Sequence, residues 1–221
     1  MKETNQRLPY YPISLDISGK RCVVVGGGQV AQRKVGALLA GGADIQVISA
    51  EPGPELAALE ESGRIAVIHR HYRPGDLRKA FIAIAATDNS DINQQVVKEA
   101  RQEAVLVNVV DDPENSDFIV PSCVRRGSVA IAVSTDGRSP ALARKIRTRL
   151  EKEFGEEYAS LVNLVSEVRA EVKRRGIEVS SDGWQEALDL DLMLDLLKKG
   201  DTEKARAVLV DNLNRAGAGN D

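Results

Sequence analysis

Three consecutive valines, Val23-Val24-Val25, run straight into Gly26-Gly27-Gly28, and the apolar positions then widen to helical spacing at Val30, Val35 and Leu38. Few local structures accept that order: it predicts a buried strand, a tight glycine turn and a helix. The turn reads Gly26-x-Gly28-x-x-Ala31. Gly26 allows the sharp bend, Gly28 lets the backbone approach a diphosphate, and Ala31 keeps the helix close to the sheet while its N-terminus faces the phosphates. Six residues alone are a weak signal. The context strengthens them, because a second strand from Asp44 to Ser49 follows, and Ala50-Glu51 ends it with a carboxylate placed to hold ribose hydroxyls.

The same alternation continues. Glu55 to Ser62 reads as a short helix, Arg64 to His69 as a third strand, and Phe81 to Thr87 as a fourth, apolar enough to be buried on both faces. Thr87-Asp88-Asn89-Ser90 supplies capping residues for the next helix, and Val105 to Val110 is a fifth strand. Residues 20 to 112 thus predict a Rossmann-like, doubly wound parallel α/β sheet within a domain spanning 1–112. Right-handed crossovers bring the strand C-termini to one edge, which gathers Gly26 to Gly28, Ala50-Glu51, Thr87-Asp88 and Asn108 to Asp112.

At Asp112-Pro113 the alternation stops. Phe118 to Pro121 and Ser128 to Ser134 read as a β-hairpin turning at Arg125-Arg126-Gly127, and Ser139-Pro140 starts a helix whose Leu142, Ile146, Leu150 and Phe154 form one apolar stripe. An edge hairpin beside an uncovered stripe suits pairing with a second copy, so 113–150 is expected to be a dimerisation segment. The remainder, 151–221, is expected to be helical: Glu156 to Arg175, then a hairpin of Trp184 to Lys199 and Thr202 to Asn214, with Ala216 to Asp221 disordered. These helices alone show too little core and are expected to dock on something.

Chemistry-bearing groups are sparse. Cys22 and Cys123 lack CxxC spacing and are expected to be buried, reduced packing residues. His69 and His71 share the third strand and read as a solvated face rather than a metal pair, so no resident metal is expected. Arg33-Lys34 close to the glycine turn, and Arg138, Ser139 and Arg144 around the later helix start, form two cationic groups. They suit either an anionic substrate or ordinary exposed helix polarity. Asp111 and Asp112 end a buried strand at the cofactor edge, where a carboxylate can accept a proton; an aspartate before proline serves equally as a turn cap. With no Ser-His-Asp set, no catalytic cysteine environment and no metal cluster, hydride transfer involving NAD fits better than hydrolysis. The net charge of −3 gives no reason to expect nucleic acid or a membrane surface as partner, and Met1 to Arg7 lacks a signal-peptide core. A cytoplasmic protein is expected.

Taken in order, Val25-Gly26-Gly27-Gly28-Gln29-Val30-Ala31-Gln32-Arg33-Lys34, Ile84-Ala85-Ala86-Thr87-Asp88, Asn108-Val109-Val110-Asp111-Asp112-Pro113, Phe118-Ile119-Val120-Pro121-Ser122 and Ser134-Thr135-Asp136-Gly137-Arg138-Ser139-Pro140 resemble the successive signatures of the precorrin-2 dehydrogenase / sirohydrochlorin ferrochelatase family. The resemblance covers about residues 8 to 175. It implies NAD-dependent oxidation of precorrin-2 to sirohydrochlorin in sirohaem biosynthesis, with ferrous iron insertion in bifunctional members, and a homodimer through the hairpin region. It further implies Asp111 as the central active-site residue and cofactor contacts at Gln29, Val30, Ala50 and Glu51. The many carboxylates of precorrin-2 would give the two cationic groups a purpose. Relatives with two serines stand where this chain has Ser134-Thr135, which removes the basis for transferring any regulatory phosphorylation. With no methyltransferase pattern following, a stand-alone enzyme is expected. A competing reading is a nucleotide-sensing regulatory Rossmann domain without turnover, which leaves the cations around Arg138 unexplained.

Overall fold

Strand β1 (Arg21–Val25) is the centre of a five-stranded parallel sheet in the computed structural model, which describes residues 10–217. Cys22, Val23 and Val24 are fully buried because strands pair with β1 on both sides and helices cover both faces. The other strands are β2 (Asp44–Ile48), β3 (Ala66–Ile68), β4 (Ile82–Ala85) and β5 (Leu106–Val109), in the order β3-β2-β1-β4-β5. Cys22 lies in register with Ile45 on one side and Ile82 on the other. On one face Cys22 and Val24 pack against Ala31, Val35 and Leu38 of α1 (Gln29–Ala40) and Leu56 of α2 (Pro54–Glu61). On the other, Val23 and Val25 pack against Val96, Val97 and Ala100 of α3 (Ser90–Gln102). Each fully buried valine or leucine contributes about 1.5–3 kcal/mol relative to exposure.

The chain falls into two compact units, Met1–Val120 and Pro121–Asp221. The second begins with an antiparallel hairpin, β6 (Ser122–Arg126) and β7 (Val129–Val133), turned by Gly127 at φ +54°. Helices α4 (Pro140–Glu153), α5 (Glu157–Arg174), α6 (Ser181–Ala187), α7 (Leu190–Lys198) and α8 (Thr202–Gly217) follow. The Arg126 guanidinium donates to the carbonyls of Phe154 (2.8 Å) and Glu151 (3.2 Å), so a hairpin cation closes the C-terminal end of α4.

Several expectations change. The first hairpin strand begins at Ser122 rather than Phe118, because residues 117–118 are held along β5: the Asp117 carboxylate accepts from the Val107 amide (2.9 Å), and the Asn108 side chain donates to the Phe118 carbonyl (3.0 Å). The segment expected as one helix over 184–199 is two, since Asp189 caps a new helix by accepting from the Leu192 amide. Strand β3 ends at Ile68, so His69 and His71 lie beyond it and do not share a strand face. Cys123 is exposed, on the side of β6 opposite buried Val124. The C-terminal helices carry a core of their own, with Leu161, Leu164, Val168, Met193 and Leu209 buried together. Helix α8 includes Ala216 and Gly217, whereas the disorder expected over 218–221 lies outside the described residues.

Candidate active site

The turn after β1 is dictated by what surrounds it. Gly26 has φ +127°, and a Cβ there would sit 2.2 Å from the Ala86 carbonyl oxygen. At Gly27 a Cβ would lie 2.3 Å from Ser49 Oγ and 2.5 Å from the Glu51 carbonyl oxygen. Gly28 is different: a Cβ there would meet nothing within 4 Å, and the residue opens α1 with no side-chain cap. Two glycines are therefore required by protein contacts, whereas the third faces open space at a helix N-terminus. That is the cradle a diphosphate fills, held by the first amides of the helix. Ala31 is fully buried, as close helix–sheet packing requires.

A cleft of about 720 Å³ opens over this turn. It brings together Gly26, Gly28, Gln29 and Val30 from the turn, Ala50 and Glu51 from the end of β2, and Thr87 and Asp88 from the end of β4. Each segment is tied in place. The Gly26 amide donates to Ile48 (2.9 Å) and the Gly53 amide to Gly27 (3.0 Å). The Thr87 hydroxyl lies 2.8 Å from Asn93 Oδ1, while the Asn93 amide returns a bond to the Thr87 carbonyl (3.0 Å). Thr87 thereby locks the β4–α3 loop against its own helix. Asn89 caps α3 by accepting from the Asp91 and Ile92 amides.

At the end of β5 the two aspartates differ. Asp112 is committed to the turn: its carboxylate accepts from the Asn115 amide (3.2 Å) and side chain (2.7 Å). Asp111 is exposed, makes no hydrogen bond among the described residues, and holds a left-handed backbone at φ +59°. Outside glycine, Asp and Asn adopt that conformation most readily, and it recurs at functional positions. On the α1 face of β5, Asn108 is 6% exposed and accepts from Lys34 Nζ at 3.1 Å. Burial, and then the neighbouring Arg33 charge, lower the Lys34 pKa from its usual 10.5; Asp111 acts in the opposite direction. A half-buried ammonium thus lies within electrostatic reach of Asp111, while Arg33 is exposed.

Arg138, Ser139 and Arg144 belong to the second unit. Ser139 caps α4, its Oγ accepting from the Leu142 amide (3.3 Å) and its own amide donating to Thr135 Oγ1 (3.0 Å). Arg138 and Arg144 are exposed on either side of that helix start. Of the α4 stripe, Leu142 and Ile146 remain 51% and 38% exposed, and Ala143 is the buried residue of the helix. Among the described residues no group of three or more His, Cys, Asp or Glu is placed to hold a metal, and no helix is long and apolar enough to cross a membrane.

For three residues the sequence pattern did not give the contacts that matter. Gly27 was only the variable position of the glycine pattern, yet both its neighbours in space exclude a side chain; the run of three glycines was the available signal. Asn108 stood inside an apolar strand, and a lone amide among Val107 and Val109 signals a buried partner. His71 lines the cleft, which nothing in its sequence neighbourhood indicates.

Residues 13–122 match the family described as putative NAD(P)-binding, and residues 126–153 match the family described as sirohaem biosynthesis protein, central. Among curated proteins, a siroheme synthase of Chromobacterium violaceum is 38% identical over 213 residues, which are 96% of this chain and 45% of that protein. A siroheme synthase of Nitrosococcus oceani is 37% identical over 204 residues, 91% of this chain and 43% of that protein. The chain therefore spans less than half the length of these relatives. A solved structure described as SirC, precorrin-2 dehydrogenase, matches with a TM-score of 0.71 and 25% identity, covering 93% of this chain and 100% of that one.

Proposed function

Because this chain belongs to the precorrin-2 dehydrogenase family of sirohaem biosynthesis, we propose that it oxidises precorrin-2 to sirohydrochlorin with NAD. The observation that carries the reading is the cleft lined together by an open Gly28, the uncapped start of α1 and Glu51. Gly26, Gly28, Gln29 and Val30 would hold the diphosphate, Ala50 and Glu51 the ribose, and Thr87 and Asp88 the opposite wall. When bound, NAD supplies a hydride acceptor. The oxidation removes one hydride and one proton from the macrocycle. Asp111 receives that proton and passes it to solvent, which its exposure and lack of competing hydrogen bonds favour. Lys34, aimed by Asn108, brings an ammonium within electrostatic reach of that carboxylate. The donors that the resemblance gives to a polycarboxylate substrate are Arg33 and Lys34 on the first unit and, separately, Arg138, Ser139 and Arg144 on the second.

The reading extends to organisation. Residues 1–112 act as the NAD-binding domain, 113–150 as the dimerisation segment and 151–221 as a helical region. The exposed Leu142 and Ile146 on α4 support a homodimer. Ferrous iron is the co-substrate of the second activity that the family implies, insertion into sirohydrochlorin, and the work is done in the cytoplasm. The nucleotide-sensing alternative, which predicts no turnover, is not favoured. Anaerobic mixing of the protein with precorrin-2 and NAD tests the proposal: NADH and sirohydrochlorin should appear in equal amounts. Binding of NAD without any conversion of precorrin-2 would refute it.

A further inference from the structure

The loop joining β3 to β4 is held more firmly than an exposed connection requires. The Arg70 guanidinium pairs bidentately with Asp76 (2.8 and 2.7 Å) and also donates to the His71 carbonyl (3.0 Å). On the other side of His71, the Tyr72 hydroxyl donates to Glu99, a carboxylate of α3 that is only 7% exposed. Glu99 accepts in addition from the amides of Gly75 (2.9 Å) and Leu77 (2.8 Å). Two carboxylates thus fix the residues before and after His71, which is itself exposed and lines the cleft. Fixing both flanks of an exposed side chain reduces the freedom it would lose on meeting a ligand.

The strand order says which part of a dinucleotide His71 would meet. The glycine turn follows the central strand β1, so a dinucleotide whose diphosphate lies there extends one nucleoside over β2 and β3 and the other over β4 and β5. Glu51 lies three residues past the end of β2 and suits the adenosine ribose, which puts adenosine on the β3 side. His71 is three residues past the end of β3, and the Ser49 amide bonds the last residue of that strand, Ile68 (3.2 Å). We propose that His71 stacks its imidazole on the adenine of the bound dinucleotide, closing the adenosine end of the cleft. The inference rests on the NAD-binding reading above and adds a recognition residue to it.

Calorimetric titration of the full chain with NAD, ADP-ribose and nicotinamide mononucleotide tests it. His71→Ala should weaken NAD and ADP-ribose alike by about tenfold, the loss of one aromatic–base stack. Nicotinamide mononucleotide binding should not change, and His71→Phe, which keeps a flat ring, should recover most of the affinity. Affinities of His71→Ala within twofold of the parent would overturn the contact, as would equal weakening of the mononucleotide or a His71→Phe variant no better than alanine. If the unaltered chain binds neither NAD nor ADP-ribose, the NAD-binding reading itself falls and takes this contact with it.

Discussion

Replacing Asp111 separates a chemical role from a backbone one, because its carboxylate and its φ of +59° can be removed independently. Asn keeps the size and the tolerance of the left-handed region, Gly keeps only the tolerance, and Ala keeps neither. Forcing Ala into that conformation costs about 1 kcal/mol, a few degrees of melting temperature, whereas Asn should leave stability near that of the parent. Loss of a positioned proton acceptor lowers turnover by about 100-fold, equivalent to about 2.7 kcal/mol of barrier. The chemical effect exceeds the backbone effect and falls equally on all three variants. Anaerobic single-turnover rates with precorrin-2 and NAD, read beside thermal melts and NAD affinities, should therefore show three similarly slow enzymes of which only Asp111→Ala melts early. Asp112→Asn is the control, since its carboxylate caps Asn115, and its rate should stay within about threefold of the parent. A rate loss that follows stability, with Asn and Gly active and Ala impaired, would refute the carboxylate role. Near-normal Asp111→Asn with inactive Asp112→Asn would move the role one residue along.

Gly28→Ala should fold with unchanged stability, because its Cβ meets nothing, yet lose most NAD affinity by filling the diphosphate space; Gly27→Ala should be destabilised even without ligand, and paired melts and titrations distinguish the two. With Glu51 at the ribose as proposed, a 2′-phosphate would meet its charge, so NAD should bind more tightly than NADP and Glu51→Ser should narrow the gap; equal affinities for the parent chain would contradict this. Leu142→Glu with Ile146→Glu should yield a monomer by light scattering, since an obligate interface of about 2,000 Å² or more does not accept two buried charges. Burial pushes the Asp76 carboxyl up, but the Arg70 guanidinium and the Arg73 amide more than offset this and hold it below 3.8. A depressed carboxylate stabilises the fold above its unfolded pKa and loses that contribution as pH falls through the folded value. Protection of the 69–77 amides, read as exchange relative to the intrinsic rate at each pH, should accordingly fall in the parent below about pH 3.8, and Asp76→Asn should already have lost it at neutral pH.

What could be read in the chain was what depends on near neighbours. The valine run, the Gly26–Ala31 spacing and the Asn89 and Ser139 caps are local constraints, and each maps onto a strand, turn or helix start where expected. That Gly26, Gly28, Ala50, Glu51, Thr87 and Asp88 share one edge was legible because parallel topology sends strand ends there, whereas His71 reaches the same cleft from a loop. The rest depends on contacts distant in sequence. Lys34 and Asn108 are 74 residues apart, Tyr72 and Glu99 are 27 apart, and neither pairing leaves a local pattern. The hairpin register shifted for the same reason: Phe118 to Pro121 has strand-like composition, but the Asn108 side chain holds Phe118 along β5 instead. Cys123 shows the converse, an apolar type read as core although a two-stranded hairpin has a side facing water.

Helix α1 starts at a glycine that lends it no side-chain acceptor. A serine or asparagine at position 28 would satisfy the first-turn amides and add a few tenths of a kcal/mol to the unliganded fold. It would also occupy the place proposed for a diphosphate, which would do the same job from outside. The helix is in this sense left unfinished by its own chain, and on that reading the ligand would be its cap. Selection for stability alone would fill the position, so a thermostabilised descendant of this protein that carries a capping side chain at 28 should have traded its coenzyme for it.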